Sequence, residues 1–391
     1  MSSPSQTKAT RVLLLGITAG VRDAAYEYGR DAGWVMTASD WDNAHQRASD
    51  YARRWDCRGI ISSLPFAPNG ADSMPGWADS PVPVVETSMT QPALKVPRVL
   101  CDNRSAGAVA ARHLIERGFR SIAYCWLGSV WILNEQEAGI AETSNAAGVS
   151  YTRMDFPLRG AAKFGWQAAA FRRWLGQEME ALPKPSGVIF DSGWIALEAI
   201  EACQEQGIIV PSQIAVVTCV DEPALCENAT VPITGVPLNQ ARQIHEAAAL
   251  LDRLMKGRPA PAEPIMIAPE PAIVRASSDI LATPDERLAR ALRLIWGGFT
   301  SPRLGLPQLA AEAGLSVTGL NILCHKHLDC TAGSLLRRKR LERAMELLAS
   351  SQMSVAEVAA ASGYATEKQM RRSIEARTGQ TPRAWSKAQK Q

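Results

Sequence analysis

The C-terminal quarter of this chain repeats itself, and the repeat constrains the fold more than any other feature. Leu306, Leu309, Ala310 and Gly314 are echoed 49 residues later by Val355, Val358, Ala359 and Gly363. In each copy, apolar residues three and four apart mark a short helix. The Ala lets a second helix approach closely, and the Gly tolerates the left-handed turn between the two. The pattern is that of a helix-turn-helix, with second helices expected over about Thr318–His325 and Glu367–Arg377. Two copies at one offset are far harder to reach by accident than one.

Charge singles out the same segment. The formal net charge of the whole chain is only +3, yet residues 287–391 carry 17 Lys and Arg against 7 Asp and Glu. The 286 residues before them hold 25 basic and 32 acidic groups. A basic module of net charge +10 behind a body of net charge −7 points to a polyanion as partner of the tail.

The body has a different rhythm. Short apolar runs recur at Val12–Leu15, Gly59–Ile61, Val82–Val85, Val99–Cys101, Ser121–Tyr124, Gly187–Phe190 and Ile214–Val217. Between them lie helix-like stretches such as Ala108, Ala111, Leu114 and Ile115, or Ile195, Ala199 and Ala202. Strand alternating with helix is the mark of a parallel α/β sheet covered on both faces, whose strands become continuously apolar. The length favours two such lobes with a cleft between them. The expected division is a sensor-like body over 1–275, a linker over 276–284 and a helical domain over 285–391, its first helix capped by Thr283 with Pro284 in the first turn.

With 46% hydrophobic and 21% charged residues the chain reads as globular. No apolar run approaches the roughly 18–20 residues of a membrane span. Met1–Lys8 lacks the apolar stretch of a signal peptide, so a cytoplasmic location is expected. The eight cysteines are scattered, several within apolar runs, as expected of reduced, buried thiols rather than a disulfide framework.

The tail resembles the DNA-binding domain of AraC-type transcription regulators, a pair of helix-turn-helix units joined by a long helix. Gln308–Ser316 resembles the first unit, Leu341–Leu348 the joining helix, and Val355–Tyr364 with Thr378–Trp385 the second unit and its ending. The body is similar to the LacI/GalR-type, periplasmic-binding-protein-like sensor that xylose operon regulators carry in front of such a tail. The stretches concerned are Asp102–Gly107, His113–Phe119, Glu201–Cys203, Val236–Asn239 and Glu246–Leu251. The resemblance implies an α/β two-lobed sensor domain followed by an all-α double helix-turn-helix domain. It implies double-stranded DNA as partner, a sugar or polyol as effector, and a homodimer.

Groups that reach base edges and groups that hold phosphates are both needed in a DNA interface. In the second unit Lys368, Gln369, Arg371 and Arg372 supply both kinds, and in the first Thr318, Asn321 and His325 are expected to face outward. Arg337, Arg338 and Arg340 are candidate phosphate clamps. The sequence departs from the family where Arg and Phe are common and Ile322 and Cys324 stand here. It also has Met370 and Ile374 at positions where Phe is common. These apolar exchanges keep a core, whereas Ile322 in place of Arg removes a polar contact.

For the cleft, candidate ligand-binding residues are Trp131, Gln136, Asp191, Trp194 and Asp221. The family's Asn-Asp pair before a C-lobe helix is replaced by Ser192-Gly193, and a common Arg by Gln136. Xylose is therefore expected to bind weakly or not at all, leaving a different sugar, a polyol, or a ligand-independent protein with a degenerate sensor. Cys324, His325, His327 and Cys330 lie close in sequence but point apart on a helix, so no metal site is expected. Gly16–Gly20 is not a dinucleotide fingerprint, and no phosphate-binding loop or nucleophile elbow occurs. Neither catalysis nor a cofactor is expected.

Overall fold

The computed structural model describes residues 10–40, 47–64, 76–90, 92–128, 130–156, 168–280, 282, 285–328, 330–351 and 353–389. They divide into two compact units, one within 1–115 and 120–280, the other within 116–119 and 281–391.

The first unit opens with β1 (Thr10–Leu15), α1 (Ala19–Asp31), β2 (Trp34–Ser39), α2 (Ala48–Arg54), β3 (Gly59–Ser62), β4 (Val84–Glu86) and β5 (Val99–Cys101). It continues with α3 (Asn103–Glu116), β6 (Ser121–Trp126), α4 (Trp131–Ala146), β7 (Ser150–Asp155), α5 (Ala168–Ala181), β8 (Ser186–Phe190) and α6 (Gly193–Glu205). Then come β9 (Ile214–Thr218), α7 (Pro223–Cys226), β10 (Thr234–Gly235), α8 (Gln240–Met255) and β11 (Ile265–Ile267).

Two parallel sheets result. One has the strand order β2-β1-β3-β4 and the other β10-β9-β8-β6-β7, while β5 and β11 form a separate parallel pair. The run Val12–Leu15 shows why the core strands are apolar throughout. Side chains alternate between faces. Val12 and Leu14 pack with Ala25 of α1 and Ile244, Ala247 and Leu251 of α8, whereas Leu13 and Leu15 pack with Ala48 and Tyr51 of α2. All four are fully buried, each contributing about 1.5–3 kcal/mol. Helix α8 follows the second sheet in sequence yet packs on the first, so the chain crosses between lobes and returns.

Strands β2 and β7 escaped the sequence reading for a physical reason. Both are edge strands, and Ser150–Asp155 buries only Met154 fully. A half-solvated edge has no need of a continuous apolar run.

The stretch read as a linker begins inside the first unit. Ser277 and Ser278 are fully buried there. The Ser277 hydroxyl donates to Val216 O at 2.6 Å and accepts from Thr234 N at 2.9 Å. The Ser278 hydroxyl pairs with His113 Nε2 at 2.8 Å and with Thr234 Oγ1 at 2.7 Å.

The second unit is helical: α9 (Glu286–Gly298), α10 (Leu306–Glu312), α11 (Val317–Leu328), α12 (Ala332–Ser350), α13 (Val355–Ala361), α14 (Glu367–Thr378) and α15 (Pro382–Gln389). The cap of α9 is Asp285, which accepts from Arg287 N. The expected cap, Thr283, lies with Pro284 outside the described residues. Two cores form, one per repeat. The first centres on Leu288, Leu292, Leu309, Leu320 and Leu335, the second on Leu348, Val358, Met370 and Ile374. All eight cysteines are free thiols, buried except for the half-buried Cys330. No helix among the described residues is long and apolar enough to cross a membrane.

Candidate nucleic-acid interface and effector cleft

The two helix-turn-helix turns are alike in their hydrogen bonds. Leu315 N donates to Ala310 O at 2.9 Å, and 49 residues on Tyr364 N donates to Ala359 O at 3.0 Å. Gly314 has φ +65° and Gly363 φ +82°, the left-handed region that favours glycine. After the turn the register changes. Helix α11 starts behind Ser316, whose hydroxyl accepts from Gly319 N at 3.1 Å, whereas α14 starts behind Thr366, which accepts from Gln369 N at 3.3 Å. The second turn is thus one residue longer, and the second helices correspond at an offset of 50, Leu320 with Met370 and Cys324 with Ile374. By that register Thr318 matches Lys368, Asn321 matches Arg371 and Ile322 matches Arg372.

The outer faces of the two helices differ in chemistry. On α14, Lys368, Gln369 and Arg372 are exposed. Arg371 is half-buried at their edge and donates to Glu367 Oε1 at 2.6 Å, one helical turn away. On α11 the exposed face carries Thr318, Ile322 and His325. Asn321 does not join it. Its Oδ1 accepts from Ala332 N at 3.2 Å, satisfying one of the orphan donors at the start of α12.

Helix α12 separates the three arginines read as phosphate clamps. Arg337 and Arg338 are exposed. Arg340 instead turns inward on the loop between α9 and α10. Its Nε donates to Phe299 O at 2.8 Å, and its Nη2 to Ser301 O at 2.7 Å and Leu304 O at 2.9 Å. Gly363 of the second turn lies on the same loop, so close that a Cβ there would collide with Phe299 O. This loop is therefore a joint held by the joining helix α12 and by the turn of the second repeat, which fixes the second helix of one repeat relative to that of the other. Sequence spacing could not distinguish Arg340 from its neighbours, because its partners are backbone carbonyls.

In the first unit a cleft of about 280 Å³ opens at the carboxyl ends of the strands, where open α/β sheets bind ligands. Its wall is mostly apolar, with Ile17, Met89, Leu100, Trp131 and Leu238 among the lining side chains. Hydroxyls and amides come from Thr18, Ser63, Thr87, Ser88, Asn103 and Gln240. Gln243 spans two of the lining segments, donating to Thr87 O at 2.7 Å and Val99 O at 2.9 Å.

Of the five ligand candidates, Trp131 lines the cleft. Gln136 stands one step behind the wall, fully buried, accepting from Tyr124 OH at 3.0 Å and donating to Asn103 Oδ1 at 3.2 Å. It orients the lining Asn103. Asp221 is occupied elsewhere, paired to Arg275 at 2.5 Å with both side chains nearly buried. Breaking such a pair by removing one partner typically costs about 3–5 kcal/mol, so this Asp serves the fold. Asp191 and Trp194 are not among the lining residues, and Trp194 is 40% exposed. Burial pushes the Asp191 carboxyl up to about 6.

Residue spacing singles out neither Asn103, although it lies in the Asp102–Gly107 stretch, nor the support beneath Ser88. There the fully buried Glu86 accepts from Leu64 N and Ser88 N, each at 2.9 Å, and from the Ser62 and Ser88 hydroxyls, each at 2.5 Å. Burial pushes its carboxyl up to about 7 against these four bonds. The polar pocket of Glu86 gives no sequence signal, because the Ser62–Leu64 segment that completes it lies more than twenty residues away.

Comparison with known proteins agrees with this division of labour. Residues 111–278 match the periplasmic binding protein-like domain, and residues 309–388 match a helix-turn-helix domain. The xylose operon regulatory protein of Escherichia coli K12 is 23% identical over 372 residues, 92% of each chain. That of Haemophilus influenzae is 23% identical over 274 residues, 68% of this chain and 69% of its own. Among solved structures, a xylose-binding transcription activator aligns over 98% of this chain and 99% of its own, with TM-score 0.58 and 22% identity. A periplasmic binding protein/LacI regulator from Alkaliphilus metalliredigens, complexed with D-xylulofuranose, covers 69% of this chain and 99% of its own, with TM-score 0.53 and 15% identity.

The chain is a DNA-binding transcription regulator in which a periplasmic binding protein-like domain precedes a helix-turn-helix domain. Over nearly its whole length it is similar to the xylose operon regulatory proteins.

Proposed function

We propose that the chain controls carbohydrate-related genes, binding duplex DNA through both helix-turn-helix units and responding to an uncharged, sugar-like molecule in the cleft. The joint carries this reading: Arg340 of the joining helix and Gly363 of the second repeat pack on the loop Phe299–Leu304 of the first, so one chain presents two recognition helices at a set spacing. Lys368, Gln369 and Arg372 enter one groove with Arg371 at the rim, and Thr318 and His325 enter the next. Arg337 and Arg338 hold phosphates, while Asn321 and Arg340 act on the fold. The sensor ends near Ile280 and the DNA-binding domain begins near Asp285.

The names of the relatives supply the carbohydrate context. The cleft supports an effector other than xylose, because neither Asp191 nor Asp221 lines it and Gln136 reaches it only through Asn103. A sugar hydroxyl buried without a partner costs about 1–3 kcal/mol. The protein works as a cytoplasmic homodimer, each protomer adding a pair of recognition helices, and catalyses no reaction.

The test is a titration of the full chain, bound to labelled DNA from upstream of its own gene, with xylose, other pentoses, hexoses and polyols. A compound other than xylose should change the affinity severalfold. Tight, saturable modulation by xylose would overturn the effector assignment, and no response to any of them would overturn sensing.

A further inference from the structure

Ile322 lies in the middle of the exposed face of α11, one turn from Thr318 and one turn from His325, and 62% of its surface is open. The core of this repeat does not use it, since Leu320 and Cys324 fill the buried side of the helix. The helix itself is fastened at its start by Ser316 and near its middle by Asn321, whose Oδ1 accepts from Ala332 N. In the other repeat the corresponding place, at the offset of 50, is taken by the exposed Arg372. The two recognition helices thus offer different chemistry at one position, a cation in one and a branched hydrocarbon in the other.

A base pair presents one hydrocarbon group in the major groove, the C5 methyl of thymine, and apolar side chains read it by contact. Isoleucine suits this contact because a β-branched side chain on a helix is held almost entirely in one χ1 rotamer. Little side-chain freedom remains to be lost when the methyl is met. Resting on the reading that α11 enters the major groove, we propose that Ile322 is a specificity-determining residue that selects a thymine through its methyl group. The first helix-turn-helix then discriminates by apolar contact, and the second by the hydrogen bonds of Gln369 and Arg372. Burying one methyl-sized group contributes about 0.8 kcal/mol, a factor of about four in affinity.

The probe is a duplex enriched from a random-sequence pool by the full-length chain, then remade with each thymine in turn replaced by deoxyuridine, which lacks only the methyl. One replacement in the half-site of the first repeat should weaken the wild-type chain about fourfold. Ile322→Ala should bind the thymine duplex about fourfold more weakly and show no response to that replacement. Ile322→Arg should move the preference at that base pair toward guanine. Ile322 is exposed, so neither variant disturbs the core. The proposal is overturned if every deoxyuridine duplex binds as the parent does, or if wild type and Ile322→Ala lose equally at the same position. In both cases specific binding itself survives. If the pool yields no preferred sequence, the DNA-reading role of the tail fails and the proposal with it.

Discussion

Replacing Arg340 by alanine separates a structural arginine from a DNA-binding one. Its guanidinium makes three hydrogen bonds of 2.7–2.9 Å to the carbonyls of Phe299, Ser301 and Leu304. A bond to a charged group contributes about 1.5–3 kcal/mol, but Arg340 is half-buried, and water can take over part of what the side chain supplies. A net loss of about 2–4 kcal/mol follows. For a helical unit of this size that lowers the melting temperature by roughly 10–20 °C. The assay is calorimetry of the full chain, following the transition of the helical unit, alongside DNA affinity at several salt concentrations. Because the joint sets the spacing of the two recognition helices, specific affinity should fall while non-specific affinity and the salt slope stay near wild type. Arg340→Lys should recover only part of the stability, since one ammonium cannot satisfy three carbonyls in that arrangement. Unchanged stability with a uniform loss of affinity and a salt slope smaller by about one unit would refute this reasoning, because that is how a phosphate contact behaves.

Two further predictions address the turn and the sensor. Gly314→Ala and Gly363→Ala both place a side chain at positive φ, at a cost of about 1–2 kcal/mol, but only at position 363 does the added Cβ strike backbone, so the second variant should melt several degrees below the first. Equal melting would show that the second turn does not press on the joint. Asp191 has its carboxyl raised to about 6 from an ordinary 3.8, so the folded chain holds this proton more tightly than the unfolded one. Its stability contribution is intact below about pH 4 and is lost as pH rises through about 6. Asp191→Asn should therefore gain in melting temperature relative to wild type as pH is raised from 4 to 7, measured by thermal scans of both proteins, and a difference independent of pH would contradict it.

The elements most legible in the sequence were those whose residues answer to burial alone. Val12–Leu15 and the repeated Leu309–Gly314 and Val358–Gly363 announce themselves, because a fully buried strand and a tight helix pair each demand a fixed pattern. What spacing could not supply was the identity of distant partners. Asn321, Arg340 and Asp221 all look like functional polar residues until Ala332 N, the Phe299–Leu304 carbonyls and Arg275 take their bonds. The extra residue in the second turn had a similar effect. An offset of 49 aligns the two glycines, yet the recognition faces match only at 50, so Ile322 and Arg372 become equivalent only once both helix starts are placed. In the cleft, Gln136 stood out as a departure from the family and Asn103 lay in a recognisable stretch, but which of them lines the cleft depends on the packing of α3 against α4.

Hydroxyl-radical footprinting of the full-length chain on its enriched duplex tests the central claim, that one chain reads DNA with two jointed recognition helices. The account predicts two protected patches per chain on one face of the duplex, about one helical turn or roughly 10 bp apart. Arg372→Ala should weaken one patch and Thr318→Ala the other. A single patch per chain, unaltered by substitutions in one of the two repeats, would contradict it.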